Sequence, residues 1–327
     1  MKHLFAIICL SILLTASAQS QADSPFVGMS GREIIETIRA DWRPAKTVTS
    51  SSDISGVMAE YARLSEGSYR DYFSLQAASS ISQLKAIALV PLAWWDEYAA
   101  DFSIVKADLH NIVPANAISS PKRSDYPPGE VTDATYDNGY WKSGIGTING
   151  IETNFYEPAD DLKGDFARIY MYMVAAYPQP LWFGRGTMLF ADGYYPLLTT
   201  YGRSVLLAWH RADPVDEAEK LRNDVIARSQ GNPNPFVSFP EIAEYIWGKH
   251  SDETFPGTPD NPDKPDIPDN PDDPQPEPIM LTAVYSVTKD GHIDFRSPYV
   301  AAGSQWTFDG KKGDSPSIVL TDKSVGR

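Results

Sequence analysis

Residues 108–125 gather the side chains best suited to do chemistry. Asp108-Leu109-His110-Asn111 is followed by Lys122-Arg123-Ser124-Asp125. A neutral imidazole takes a proton from water, so His110 could serve as a substitute proton acceptor, but packing and hydrogen bonding are its favoured role. Carboxylate oxygens suit a hard divalent cation, which makes Asp108, Asp125 and Glu97 weak candidate ligands. Carboxylates near a loop more often cap backbone or face solvent. Asn111, Lys122, Arg123 and Lys163 are candidates to hold phosphate oxygens, with Lys142 and Arg168 close by in sequence. For Asp165 and Arg168 an ion-pair set with Lys163 inside one helix is the favoured reading. His210, His250 and His292 are scattered, without metal-ligand spacing, and read as surface or structural residues. Trp94, Trp95, Trp141, Tyr170 and Tyr172 could stack on bases, but at this density most belong to a core.

These residues need elements to position them. Ser30-Gly31-Arg32-Glu33 is a capping box leading into Ile34, Ile35 and Ile38 at helical spacing. A second helix is expected near Ser55 to Leu64. Pro158 to Tyr177 reads as a long helix with Asp160 and Asp161 in its first turn. Its buried stripe is Leu162, Phe166, Ile169 and Met173, and Pro178 stops it. A further helix is expected over Leu197 to His210. The next starts at Asp213-Pro214, turns Leu221, Val225 and Ile226 inward, and ends before Gly231. Ser238 and Glu241 suggest another capping box before Ile242. Between the helical ends, 85–157 is rich in Gly, Pro, Asn and aromatics, with short strands such as Ile87 to Val90 and Gly150 to Tyr156. The class is α+β, helices around a small irregular β region.

The 327-residue chain carries a formal charge of −15. Lys2, an apolar run from Leu4 to Leu14 and Ala16-Ser17-Ala18 describe a secretory signal peptide over 1–22. An export to the periplasm, the exterior or the cell surface is therefore expected, with no transmembrane segment in the mature chain. Cys9, the only cysteine, lies inside that leader, so the mature chain is expected to form no disulfide. Residues 252–279 repeat Pro-Asp about every third residue and carry nine acids against Lys264. Proline stiffness and like-charge repulsion make this an extended, solvated linker. Residues 280–327 alternate in short runs (LTAVYSV, HIDFRS, QWTFDG, SIVLTDK) and read as a small β-rich module with Asp-Gly turns. The body, 23–251, keeps a net −9 once Lys2, the linker's −8 and the tail's +1 are set aside. That balance is unlike a non-specific nucleic-acid binder, although a local basic stripe is compatible with it.

The body's motifs resemble the secreted bacterial endonuclease I family. The matching pieces are Asp108-Leu109-His110-Asn111 with Pro114, Arg123-Ser124-Asp125-Tyr126-Pro127, Gly129-Glu130-Val131 and Tyr156-Glu157-Pro158. They continue through Lys163-Gly164-Asp165-Phe166-Ala167-Arg168, Trp209-His210 with Asp213-Pro214-Val215, and Arg222-Asn223-Asp224. Gln230-Gly231-Asn232-Pro233-Asn234-Pro235-Phe236 and Tyr245-Ile246-Trp247-Gly248 complete the set. The resemblance implies a ββα-metal (His-Me finger) nuclease core surrounded by helices. It also implies a Mg²⁺ or similar divalent cofactor and a DNA or RNA substrate.

The family's catalytic motif runs Asn-Arg-Glu-His, two residues, then Pro. The matching positions here are Lys85-Ala86-Ile87-Ala88, Leu89-Val90 and Pro91. By this resemblance Ala88 stands where the general-base histidine would be, Ile87 where a metal-binding glutamate would be, and Ser120 where a metal-binding asparagine would be. Alanine accepts no proton and isoleucine offers a hard cation no oxygen. A general base is worth about 10²–10⁴-fold in rate. A degenerate active site that retains nucleic-acid binding is the expected function. An active metal-dependent nuclease, rewired through His110 and Asp108, is the alternative; a surface or partner-binding protein is another.

Overall fold

The computed structural model describes residues 24–64, 67–256 and five short strands between 284 and 320. The leader, His292 and all of the linker beyond 256 lie outside the described residues. The chain forms two compact units, Met1–Asn261 and Pro262–Arg327.

In the first unit α1, Gly31–Asp41, begins where Ser30 and Glu33 cap each other reciprocally, and it buries Ile34, Ile35 and Ile38. Helix α2, Ser51–Tyr61, starts ahead of the expected Ser55, because the Ser50 hydroxyl accepts from the Asp53 N–H and caps it there. Strands β1 (Tyr69–Arg70) and β2 (Ala77–Ala78) make a small antiparallel pair. Strand β3, Leu84–Ala88, leads through α3, Phe102–Ala107, to β4, Ile112–Asn116. β3 and β4 pair antiparallel, with Ile87 opposite Val113 and Ala88 opposite Ile112. The short α4, Ser119–Arg123, follows β4 directly. Then β5 (Asp133–Asp137), β6 (Lys142–Ile148) and β7 (Ile151–Glu157) form an antiparallel meander. Its tight Asn149-Gly150 turn has positive φ at both residues, the conformation Asn-Gly tolerates best.

A 3-10 turn, Asp160–Leu162, occupies the start of the expected long helix, so α5 spans Lys163–Ala176. Every residue from Gly164 to Ala176 is buried, and the helix is covered on all sides rather than along one stripe. After α6, Gly186–Leu189, comes α7, Thr200–Ala212. Thr199 caps α7 through the Gly202 N–H, while Leu197, expected inside it, sits at positive φ. Helix α8, Glu217–Gln230, is capped by Asp216 and stopped by Gly231 at φ 96°. Its Leu221 is 45% exposed, against the inward position expected, and Glu219 and Arg222 are buried instead. A polar network claims that face. The Ser238/Glu241 capping box does not form: Ser238 ends α9, Pro235–Ser238, and its hydroxyl meets Asn223, while Glu241 makes no side-chain cap for α10, Ile242–Ile246.

In the second unit β8 (Val284–Val287), β9 (Ile293–Arg296) and β12 (Ser317–Leu320) make a sheet in the order β12-β9-β8, and β10 (Trp306–Phe308) pairs with β11 (Lys311–Gly313). The architecture as a whole is α+β.

Candidate functional site

The end of β3 is held by a clamp of buried donors. Arg123, the last residue of α4, donates from Nη1 to the Leu89 carbonyl (2.7 Å) and from Nη2 to the Ala88 carbonyl (2.9 Å). Tyr170 on α5 donates to the same Leu89 oxygen (3.1 Å), and Tyr156 on β7 donates to the Tyr170 hydroxyl. Asn111 completes the hold. Its Oδ1 accepts from the Val90 N–H (2.7 Å) and its Nδ2 donates to the Val90 carbonyl (3.1 Å). Three elements therefore fix the peptide groups of residues 88–90, and Ala88 sits half-buried at the centre. Beside it the Ile87 side chain is buried in the main hydrophobic cluster. Ser120, on α4, is exposed.

This geometry corrects several expectations. Arg123 and Asn111 are buried and spent on backbone, so neither presents its head group to a phosphate. Lys163 is bound to Glu157 (3.0 Å) and Asp160 (2.7 Å). Lys122 is exposed and lies over the Tyr136 ring. Lys142 pairs with Glu157. Arg168 is fully buried between Asp165 (3.3 Å) and Glu219 (2.6 Å), so the ion-pair set runs between helices as well as within one. Burial raises the carboxyls of Asp165 and Glu219, with Arg168 acting against that rise.

His110 and Asp108 belong to a second buried network. Asp108 Oδ2 accepts from Tyr172 (2.6 Å) and Tyr177 (2.8 Å), and Oδ1 accepts from Gln230 and from the His110 N–H (both 2.9 Å). Both carboxylate oxygens are thus used in holding the core together. His110 Nε2 lies 3.0 Å from the Asn232 carbonyl, which can only accept, so that nitrogen carries the proton. The ring packs edge-on against Tyr172. Burial pushes the imidazole down to about 4, so it stays neutral, yet it is sealed from solvent water. His110 therefore lacks the access a substitute base requires. His210 is also buried, the structural one of its two expected placements, and is likewise pushed down to about 4 by burial and by Arg168.

The donor set around β3, β4 and α4 does not fit a hard divalent cation. Ile87 and Ala88 offer no oxygen, Ser120 offers a neutral hydroxyl, and Asp108 is committed to its tyrosines. Asp125 pairs with Arg185 (3.3 Å), a residue the sequence did not single out. Glu97 is exposed. Among the described residues no three His, Asp or Glu side chains are gathered as a metal would need. Arg185 carries no motif of its own in the sequence, and its tertiary contacts reveal it. Its guanidinium lies over the Tyr126 ring and donates to Thr153 on β7.

The Endonuclease I family model matches residues 70–241, more than half of the chain. The chain is similar to an extracellular ribonuclease of Bacillus subtilis (strain 168), with 32% identity over 168 residues, covering 47% of this chain and 52% of the relative. It is also similar to an extracellular deoxyribonuclease of Aeromonas hydrophila, with 26% identity over 137 residues, covering 42% of this chain and 52% of the relative. A third relative is an endonuclease-1 of Buchnera aphidicola, 25% identical over 137 residues. The chain spans about half the length of these curated relatives.

Proposed function

The chain belongs to the endonuclease I family, and from that premise we propose that it is an exported nucleic-acid-binding protein with a nuclease scaffold and a degenerate catalytic site. β3, β4 and α4 are the ββα element of that scaffold, and the site's three catalytic positions are Ile87, Ala88 and Ser120.

One observation carries the reading. The clamp of Arg123, Asn111 and Tyr170 hydrogen-bonds the peptide groups at the end of β3, and the half-buried residue there is Ala88. A hydrolytic site needs a proton acceptor and stabilisation of charge on the scissile phosphate. The neighbouring groups supply neither, because His110 is sealed and Asp108 is committed. Binding asks less than hydrolysis: cationic and polar groups near the backbone of a nucleic acid suffice. The leader, the acidic linker and the β-rich tail fit a protein carried outside the cytoplasm, as the names of the extracellular relatives also suggest.

The test is plasmid cleavage by the full chain with Mg²⁺ or Mn²⁺, beside an Ile87→Glu/Ala88→His/Ser120→Asn variant and an Ala88→His/Ser120→Asn variant. The native chain is expected to be inert and at least one variant to nick DNA, with the activity abolished by a chelator. Cleavage by the native chain, lost on His110→Ala, would establish an active rewired nuclease instead.

A further inference from the structure

Arg185 and Asp125 meet at the rim of the degenerate site. The loop that carries Arg185 is tied to the segment after Ala88, because the Phe183 N–H donates to the Trp94 carbonyl (3.1 Å). Asp125 stands two residues past Arg123, whose guanidinium holds the Ala88 carbonyl. Thr153, on β7, accepts from Arg185 Nη1 (3.4 Å). One guanidinium thus sits where the post-β3 segment, the post-α4 segment and β7 converge.

We propose that Arg185 is a guarded phosphate site: it holds a backbone phosphate of bound nucleic acid, and the Asp125 carboxylate occupies it when no nucleic acid is present. The proposal rests on the reading that the scaffold retains nucleic-acid binding. Three features of the pair carry it.

The guanidinium is pre-set. It lies over the Tyr126 ring at 4.9 Å from the centroid, a contact that supports the side chain before a ligand arrives. Its present partner is a weak one. The contact to Asp125 is a single Nε–Oδ1 approach of 3.3 Å, with the two side chains 32% and 41% exposed. A paired fork would be shorter and doubled, and Nη2 makes no hydrogen bond among the described residues. A half-exposed ion pair of this kind contributes little in water, whereas a phosphate can take two guanidinium donors and release counter-ions as it binds.

The third feature is the fate of the other cations nearby. Arg123 is buried in the clamp, Lys163 has two carboxylate partners and Lys142 has Glu157. Among the described residues Lys142 is as exposed as Arg185 (34% against 32%) but has a closer carboxylate at 3.1 Å, and Lys122 lies over the Tyr136 ring, which leaves Arg185 with the looser partner. On a body with a net negative charge, an internal carboxylate that competes for Arg185 raises the threshold for non-specific capture. Asp125, a candidate cation ligand by sequence, acts here as the competitor of the phosphate.

The experiment is fluorescence anisotropy of the full chain with labelled DNA duplex and labelled RNA over a range of salt. It compares native protein with Asp125→Asn, Arg185→Gln and the double variant, with thermal melts checking that each folds. Asp125→Asn is expected to tighten binding several-fold. Arg185→Gln is expected to weaken it about tenfold and to lower the log–log salt slope by about 0.9, the share of one phosphate. The double variant should match Arg185→Gln, because the guard has nothing left to compete for. Binding that ignores both substitutions overturns the guarded site and leaves the retained-binding reading standing. Absence of binding by the native chain and every variant overturns that reading itself, and the guarded site with it.

Discussion

Arg123 is the residue on which the local frame turns. It satisfies two carbonyls at the end of β3 and lies over the Tyr156 ring. Arg123→Ala would leave those buried carbonyls short of donors and open a cavity, a cost of about 3 kcal/mol or more. Chemical denaturation should show this as a lower midpoint with an unchanged slope. The two buried histidines give a second residue-scale prediction. Ring-proton NMR should find His110 and His210 neutral through the usual titration range and charging near pH 4. In both, the folded value lies below the unfolded value of about 6.5, so the unfolded chain takes up the proton first. Their contribution to stability is intact above about pH 6.5 and is lost as pH falls towards 4. Asp165 and Glu219, raised by burial, act in the opposite direction, which is why the ring titration is the cleaner readout. A titration of either ring near 6.5 would mean that it is solvated, contrary to the packing described.

Elements decide how far the positions at the end of β3 tolerate change. On β3, Ala88 is half-buried and has room to change, while Ile87 is packed in the core. Ile87→Glu alone should therefore cost about 3–5 kcal/mol, the penalty of an uncompensated buried charge. Ala88→His with Ser120→Asn should cost far less, about 1 kcal/mol. Comparing urea midpoints of the two variants checks this; equal losses would mean that β3 turns its faces differently. At the end of α8, Gly231 adopts φ 96°, and a Cβ there would press on Ala45. Gly231→Ala should cost about 1–2 kcal/mol through left-handed strain and crowding. Leu221→Ser, on the exposed face of the same helix, should stay within about 0.5 kcal/mol.

For the whole molecule, the test is whether a cation recognises the fold. A ligand that binds the native state raises the melting temperature in proportion to its occupancy. Mg²⁺ should leave the native melt unchanged, because Ile87, Ala88 and Ser120 offer no adequate donor set. In the Ile87→Glu/Ala88→His/Ser120→Asn variant Mg²⁺ should raise the melt, and a chelator should reverse the gain. A Mg²⁺-dependent rise in the native chain would place a cation site elsewhere and weaken the degenerate reading. The net charge of −15 adds a constraint at this scale, since any nucleic-acid contact must work against a negative background and weaken steeply with salt.

The sequence by itself determined the family, the α+β class, the capping box of α1 and the glycine stop of α8. All of these rest on local chemistry: motif order, reciprocal caps and a residue tolerant of positive φ. The tertiary structure decided which polar residues were free to act. Arg123, Asn111, Asp108 and His110 look in sequence like ligands and bases, and the fold spends all four on buried carbonyls, hydroxyls and amides. Arg185, unremarked in sequence, is joined by the fold to Asp125, Tyr126 and Thr153. Such pairings join positions tens of residues apart, and they are fixed by packing and the need to satisfy every buried polar group, neither of which leaves a periodic mark on the chain.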